Sequence, residues 1–212
     1  MNAFFRASCA LFAAMVIAPA FAGVDESVAK LQTEWEQIKY RQPADKQEKA
    51  YEALTKDAAA VRAEHPDRSE ADIWYAIVVA SHAGAKGGLG ALGLAKAAKK
   101  SLDQAISING QALDGSAYTS LGTLYAKVPG WPVGFGDERK AETLLLKALQ
   151  INPNGIDPNY FYADFLREQG DTAKARQYLL RARKAAPRPG RELADQGRQG
   201  EITAALKALD GR

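Results

Sequence analysis

Small and large apolar residues recur along this chain at a fixed helical spacing. In three segments an alanine is followed four residues later by a leucine and three residues after that by a second alanine. Residues three and four apart share one face of an α-helix, so each segment predicts a helix with one closely packed apolar face. The three sets are Ala98, Leu102 and Ala105; Ala141, Leu145 and Ala148; and Ala175, Leu179 and Ala182.

The spacing between these sets indicates an internal repeat. The second and third sets are 34 residues apart and the first and second are 43 apart, so one unit carries an insertion. An apolar helix precedes each set, and prolines or glycines separate the helices. The pattern predicts an all-α solenoid in one domain, residues 23–212. Its predicted parts are a degenerate hairpin at 23–66, repeats at 69–110, 115–153 and 156–187, an insertion at 128–136 and a C-terminal capping helix at 191–209.

The helix that precedes the second set carries a recognisable motif. Tyr118, Leu121, Gly122 and Tyr125 match the aromatic, Leu-Gly and Tyr positions that open a tetratricopeptide unit, whose period is 34 residues. The chain therefore resembles the tetratricopeptide-repeat (TPR) family. That resemblance implies a superhelical solenoid whose extended concave side holds a partner.

A narrower resemblance rests on two shorter segments. Residues Val128–Asp137 and Asn154–Tyr162 are similar to the periplasmic repeat component associated with TRAP-type solute transporters. The resemblance implies a periplasmic solenoid that meets an envelope protein, such as a transporter component, or a small ligand. It also implies that a homo-oligomer can form.

The first 22 residues have the pattern of a secretory signal. Arg6 precedes an apolar stretch at about 7–18, and Ala20–Ala22 form a small-x-small cleavage site. Cleavage after Ala22 would give a periplasmic protein with no integral membrane segment and no cysteine, because Cys9 lies in the leader. Retention of the leader as an anchor is the alternative, although the stretch is shorter than the roughly 20 residues of a spanning helix.

Composition disfavours several classes of function. The net charge is +3 and no one-sided basic field is evident, so nucleic acid is not an expected partner. The chain has two histidines and no nucleophile or metal-ligand motif, which predicts a non-enzymatic protein without cofactor or metal. Residues 88–93 fit G-x-G-x-x-G, but a predicted helix precedes them where a dinucleotide site needs a strand. We interpret them as a connector.

Candidate contact residues follow from the expected architecture, because the first helix of each TPR hairpin lines the concave side. We counted from the apolar positions to select residues on that side. For any one of them, a solvated helix face is the simpler role. The selected residues are Tyr75, Val79 and His82; Thr119, Thr123 and Lys127; and Tyr160, Asp164 and Arg167.

The insertion adds two large aromatic residues, Trp131 and Phe135, which we expect beside the concave groove. Aromatic anchors dominate many binding interfaces, so the rings can form a rim for a ligand or partner. The alternative is that both rings fold back and fill the gap between neighbouring hairpins. The sequence leaves both interpretations open.

These patterns predict a non-enzymatic periplasmic adaptor that binds a protein through its concave face and the insertion. The alternative is a small-solute-binding auxiliary component of a transport system. A third possibility is a structural assembly factor that oligomerises through exposed hairpin edges.

Overall fold

The computed structural model describes residues 23–211, and within that range the chain forms nine α-helices and no strand. Successive helices pack as hairpins, which confirms the predicted all-α solenoid. The predicted leader and Cys9 lie outside the described residues. The helices are α1 (Val24–Arg41), α2 (Ala44–Glu64), α3 (Ser69–Lys86), α4 (Gly90–Asn109), α5 (Ala112–Lys127), α6 (Glu138–Ile151), α7 (Ile156–Glu168), α8 (Thr172–Arg183) and α9 (Glu192–Asp210).

The repeated alanine and leucine sets form the interior of the hairpins. Their six alanines and Leu102 and Leu145 are completely buried, and Leu179 is nearly so. Burying one leucine side chain contributes about 1.5–3 kcal/mol, and the flanking alanines let the helices approach closely. The 3.6-residue periodicity of the sequence is therefore the direct cause of the packing.

Gly122 shows how close that approach is. A Cβ atom placed on it would lie 2.8 Å from Cγ of Leu145 and 3.1 Å from the carbonyl oxygen of Ala141. Both distances are shorter than an ordinary van der Waals contact, so only glycine allows α5 and α6 to meet here. The Leu-Gly pair of the sequence motif thus has a packing reason.

Short-range signals fix several helix ends. The side chain of Asp137 accepts a hydrogen bond from the backbone N–H of Lys140 at the start of α6, and Asp171 caps Lys174 in the same way at the start of α8. Gly170 has a φ of +82°, which supplies the left-handed turn between α7 and α8. Capping side chains and one glycine thus separate the helices of this hairpin.

The C-terminal helix α9 packs on α8 as a cap and also contacts α1. Ile202 and Leu206 pack against Leu179 on α8, as a cap does. The first half of α9 also reaches α1, where a Cβ placed on Gly197 would lie 2.3 Å from the ring of Tyr40. The two ends of the solenoid therefore touch, and the sequence did not predict that closure.

Candidate binding cavity on the concave side

The closure of α9 on α1 borders a partly open cavity of about 510 Å³, a volume in the usual range for ligand-binding clefts. Its walls come from the first helices of the hairpins, α1, α3, α5 and α7, and from the segment around Pro187 that joins α8 to α9. Helices that are distant in sequence therefore contribute to one site. The residues that line it include Trp35, Trp74, Ile77, Leu113, Asp114, Ser116, Thr119, Ser120, Asp157, Phe161, Arg188, Arg191 and Arg198.

An aromatic cluster forms the wall contributed by α1 and α3. The rings of Trp35 and Trp74 meet edge to face with centroids 6.1 Å apart, and Trp35 meets Tyr40 in the same way at 6.0 Å. The indole N–H of Trp35 donates to Oγ of Ser81 over 2.8 Å. Ser81 stands where the repeat pattern expects a tyrosine, so the smaller residue leaves room for this indole.

An ion pair between Arg191 and Glu36 closes the cavity beside that wall. The two side chains are in hydrogen-bond contact, and the guanidinium of Arg191 lies 5.0 Å from the ring centroid of Trp74. Glu36 is only 5% exposed. A buried carboxylate needs such a partner, because an unpaired buried charge is costly.

A second ion cluster centres on Asp157, the second residue of α7. It accepts hydrogen bonds from Arg198 at 2.9 Å and from Arg188 at 2.6 Å. Burial raises the pKa of Asp157, but the charges of Arg198 and Arg188 outweigh burial and hold that pKa below its ordinary value. Arg198 also stacks on the rings of Tyr160 and Phe161, at 4.4 and 4.6 Å.

A strained turn forms another part of the rim. Leu113 and Asp114 have φ values of +49° and +55°, and Gly115 follows at +75°, so the regular part of α5 begins at Ser116. Left-handed backbone costs about 1–2 kcal/mol for each residue other than glycine. Both strained residues line the cavity, where such strain is often associated with function.

The hairpin geometry agrees with a comparison to known families. Residues 133–194 match the family model described as tetratricopeptide repeat. Residues 133–194 carry tetratricopeptide repeats. Among solved structures, that of PilF from Pseudomonas aeruginosa is 17% identical, with an alignment that covers 89% of this chain and 94% of that one at a TM-score of 0.36. No curated protein sequence matches the chain.

The cavity uses a different face of the TPR helix α3 from the predicted one. Trp74 and Ile77 line it, whereas Val79 and His82 are buried in the interior. Tyr75 instead lines a shallower pocket, where the guanidinium of Arg62 lies 5.1 Å from its ring centroid. The prediction took Trp74 and Ile77 as interior positions, although they form the cavity wall. The contact residues selected relative to them therefore lie on other faces of α3.

One predicted residue on the other first helices lines the cavity, and it is Thr119. Tyr160 does not line it, but its ring lies under the guanidinium of Arg198, which does. Thr123 lies one turn after Thr119, to whose carbonyl oxygen its hydroxyl donates over 2.8 Å.

The remaining predicted residues form a separate ion cluster. Nζ of Lys127 lies 2.7 Å from Oδ2 of Asp164, and a guanidinium nitrogen of Arg167 lies 2.5 Å from Oδ1 of the same residue. Burial raises the pKa of Asp164, but hydrogen bonds from Lys127 and Arg167 lower it below its ordinary value. None of the three lines the cavity.

The insertion lies away from the cavity, which differs from our expectation. The part of α5 that lines the cavity ends at Ser120, and Val128 follows about 12 Å further along the helix axis. Phe135 is half-buried and meets the ring of Tyr125 edge to face at 5.5 Å, whereas Trp131 is 90% exposed. Phe135 therefore packs against the hairpins, whereas Trp131 is displayed on the surface away from the cavity.

Three further findings concern other candidate chemistries. The glycine-rich segment joins α3 to α4 through Gly87 and Gly88, both at positive φ, and a helix precedes it where a dinucleotide site has a strand. Among residues 23–211, no group of three or more His, Cys, Asp or Glu side chains is arranged to hold a metal ion. No helix in the same range is long and apolar enough to cross a membrane.

Sequence reasoning missed the residues that close the cavity. Arg188, Arg191, Arg198 and Glu36 were not among the candidate contact residues, which were selected on the first helices and the insertion. The sequence contains one signal for these residues. Pro187 and Pro189 flank Arg188 and make this segment more rigid than an ordinary connection between helices.

Proposed function

We propose that this protein binds a partner by taking an extended segment of it into the concave cavity. The observation that carries the proposal is the cavity itself, in which the aromatic side chains of Trp35, Trp74 and Phe161 lie beside hydroxyl groups on α5. Aromatic surface supplies binding energy and the polar groups orient a bound chain. Tetratricopeptide repeats are protein-interaction modules, and TPR proteins are generally non-enzymatic scaffolds, which supports this choice.

The proposal can be tested by filling the cavity without removing a core side chain. Ser120 is half-buried on the wall formed by α5, whereas Ser107 is exposed on α4. A photo-crosslinking amino acid at position 120 should capture a partner in cells, and the same group at position 107 should not. Ser120→Trp should then weaken binding of the purified partner at least tenfold by calorimetry, about 1.4 kcal/mol.

The control for that measurement is Ser107→Trp, which adds the same side chain to the outer surface. It should leave the affinity unchanged. If crosslinks form from position 107 alone, or if Ser120→Trp binds as well as the wild type, the cavity is not the binding site.

A second candidate is that the cavity holds a small organic solute for a transport system. Its favouring observation is the enclosure, since α9 and the segment around Pro187 cover one side of the cavity. Thermal-shift screening with organic acids should then raise the melting temperature of the wild type. Ser120→Trp should abolish the rise, because the indole would occupy the solute's volume.

We also propose that the protein works in the periplasm, which rests on the pattern of residues 1–22. Mass spectrometry of the protein from a periplasmic extract should find Gly23 at the N-terminus. Recovery of the chain with its first residues intact in the membrane fraction would favour the anchored alternative.

A further inference from the structure

Residues 186–191, within the segment that joins α8 to α9, form the arm. We propose that the arm covers the concave cavity as an internal ligand, and that the partner segment is an arginine-bearing peptide that replaces it. This inference rests on the proposed function, because it names the chemistry of the partner for the same cavity. It also gives the protein a closed state and an open state.

The arm lies where a bound peptide is expected to lie. Ala186, Pro187, Arg188, Pro189 and Arg191 all line the cavity. Residues 185–188 have no regular structure, and a turn follows in which the carbonyl oxygen of Arg188 accepts from the backbone N–H of Arg191 over 3.1 Å. The concave side of a repeat protein is the surface on which a partner segment is expected to bind.

The contacts of the arm are made with the first helices and not with its sequence neighbours alone. Arg191 pairs with Glu36 on α1 and stacks on Trp74 of α3, and Arg188 pairs with Asp157 on α7. The pair formed by Arg191 and Glu36 joins residues 155 positions apart. Three separate helices therefore recognise two arginines.

The arm is held by charge and very little by apolar burial. Ala186, Pro187 and Pro189 are exposed. By contrast, Ile202 on α9 is completely buried and Leu206 nearly so. Ion pairs can be exchanged for equivalent ion pairs at little cost, whereas a buried apolar side chain has to leave its cavity. Exchange of the arm also requires Arg188 to release Asp195 on α9, while Ile202 and Leu206 hold the rest of α9 in place.

The acceptors in the cavity define what can replace the arm. Glu36 is 5% exposed, so any segment that displaces Arg191 has to bring its own cation. A guanidinium suits this place better than an ammonium, because it pairs with the carboxylate while its flat face stacks on Trp74. Arg188 and Arg191 set a spacing of three residues, so the replacing segment is of the Arg-x-x-Arg class.

The test measures binding of a synthetic peptide with the sequence of residues 184–192 to the full chain by calorimetry. Arg191→Ala empties one arginine position and leaves Glu36 and Trp74 for the peptide. An attached arm competes at an effective concentration of about a millimolar, so the variant should bind the peptide at least tenfold more tightly than the wild type does.

Two controls separate recognition from non-specific attraction. Arg181 stacks on Tyr178 at 4.9 Å on the surface of α8, so Arg181→Ala removes a similar arginine far from the cavity and should bind the peptide as the wild type does. A peptide with alanine in place of both arginines should not bind Arg191→Ala. A peptide with lysines should bind it several-fold more weakly than the arginine peptide.

A second variant keeps the test valid if Arg191→Ala loses its circular dichroism signal. Pro187→Gly combined with Pro189→Gly retains every charged contact and makes the arm more flexible, so that holding it in the cavity costs more entropy. This variant should bind the peptide about three- to fivefold more tightly than the wild type.

Three outcomes would overturn the inference. One is equal peptide affinity in the wild type and both folded variants. Another is concentration-dependent dimerisation of Arg191→Ala in light scattering, which would show that the occupant is the arm of a second copy. The third is that Ser120→Trp loses partner binding while no variant binds the peptide. That result would leave the proposed function intact and refute the inference that the arm mimics the partner segment.

Discussion

The interior of the hairpins and the contact that closes α9 on α1 are stabilised by different forces. In the interior, residues such as Leu102 and Leu145 are completely buried among alanines. In the closure, Arg191 pairs with Glu36, and Arg188 and Arg198 pair with Asp157. Apolar burial is insensitive to salt and pH, whereas ion pairs respond to both. The repeats therefore form a permanent scaffold, and the closure is the part suited to change.

The largest effect should come from the interior. Leu145→Ala should lower the free energy of unfolding by about 3–4 kcal/mol, because it leaves a cavity between α5, α6 and α7. Leu146 is the matched control, since it is the next residue and is partly exposed, and Leu146→Ala should cost less than about 0.5 kcal/mol. Urea unfolding measures both. Similar losses in the two variants would mean that the repeated set is not the core.

The next effect should come from the ion cluster. Asp157→Asn should lower the free energy of unfolding at pH 7 by about 2–3 kcal/mol, because it removes the carboxylate that Arg188 shares with the buried guanidinium of Arg198 and leaves Arg198 paired with Glu201. Urea unfolding at pH 7 measures the loss. An unchanged midpoint would show that the closure contributes nothing to stability.

The same cluster predicts how stability depends on pH. The two arginines hold the pKa of Asp157 below its ordinary value of 3.8, so its contribution is complete above that value and is lost as the pH falls through the lower, folded pKa. The wild type should lose more stability than Asp157→Asn on acidification below about pH 4. Parallel curves for the two proteins would contradict the assignment.

A smaller effect should result from separating α9 from α1. Gly197→Val places a side chain where the ring of Tyr40 lies, and it should cost about 1–2 kcal/mol while the hairpins stay folded. A fluorophore pair on α1 and α9 should report a longer distance. Gly200 is the control, because nothing lies within 4 Å of its Cβ position, and Gly200→Val should leave the distance unchanged.

The smallest effect should come from the insertion. Trp131 is 90% exposed, so Trp131→Ala should change the free energy of unfolding by less than about 0.5 kcal/mol. Phe135→Ala should cost more, because its ring packs on Tyr125. Thermal unfolding compares the two. A large loss for Trp131→Ala would show that its ring is part of the core and would place the insertion with the scaffold.

Much of the scaffold could be predicted from local patterns. The alanine and leucine sets, Gly122 at the close contact and the turn at Gly170 all follow from the spacing of residues within one or two helices. The wall of the cavity could be predicted only in part. Thr119 lines the cavity, but the residues selected on α3 do not. Aromatic residues that pack in the interior beside α3 also form the cavity wall, and the apolar pattern does not separate these two roles.

The periodicity of apolar residues is enough to specify a helical repeat protein, because it indicates which face of each helix is buried. The meeting of the two ends of the solenoid beside a cavity depends on the folded chain. The pair formed by Arg191 and Glu36 joins residues 155 positions apart, and no local pattern specifies a partner at that distance. The small rotation between neighbouring hairpins adds up over four hairpins and brings these two residues together. This happens only when the chain is folded.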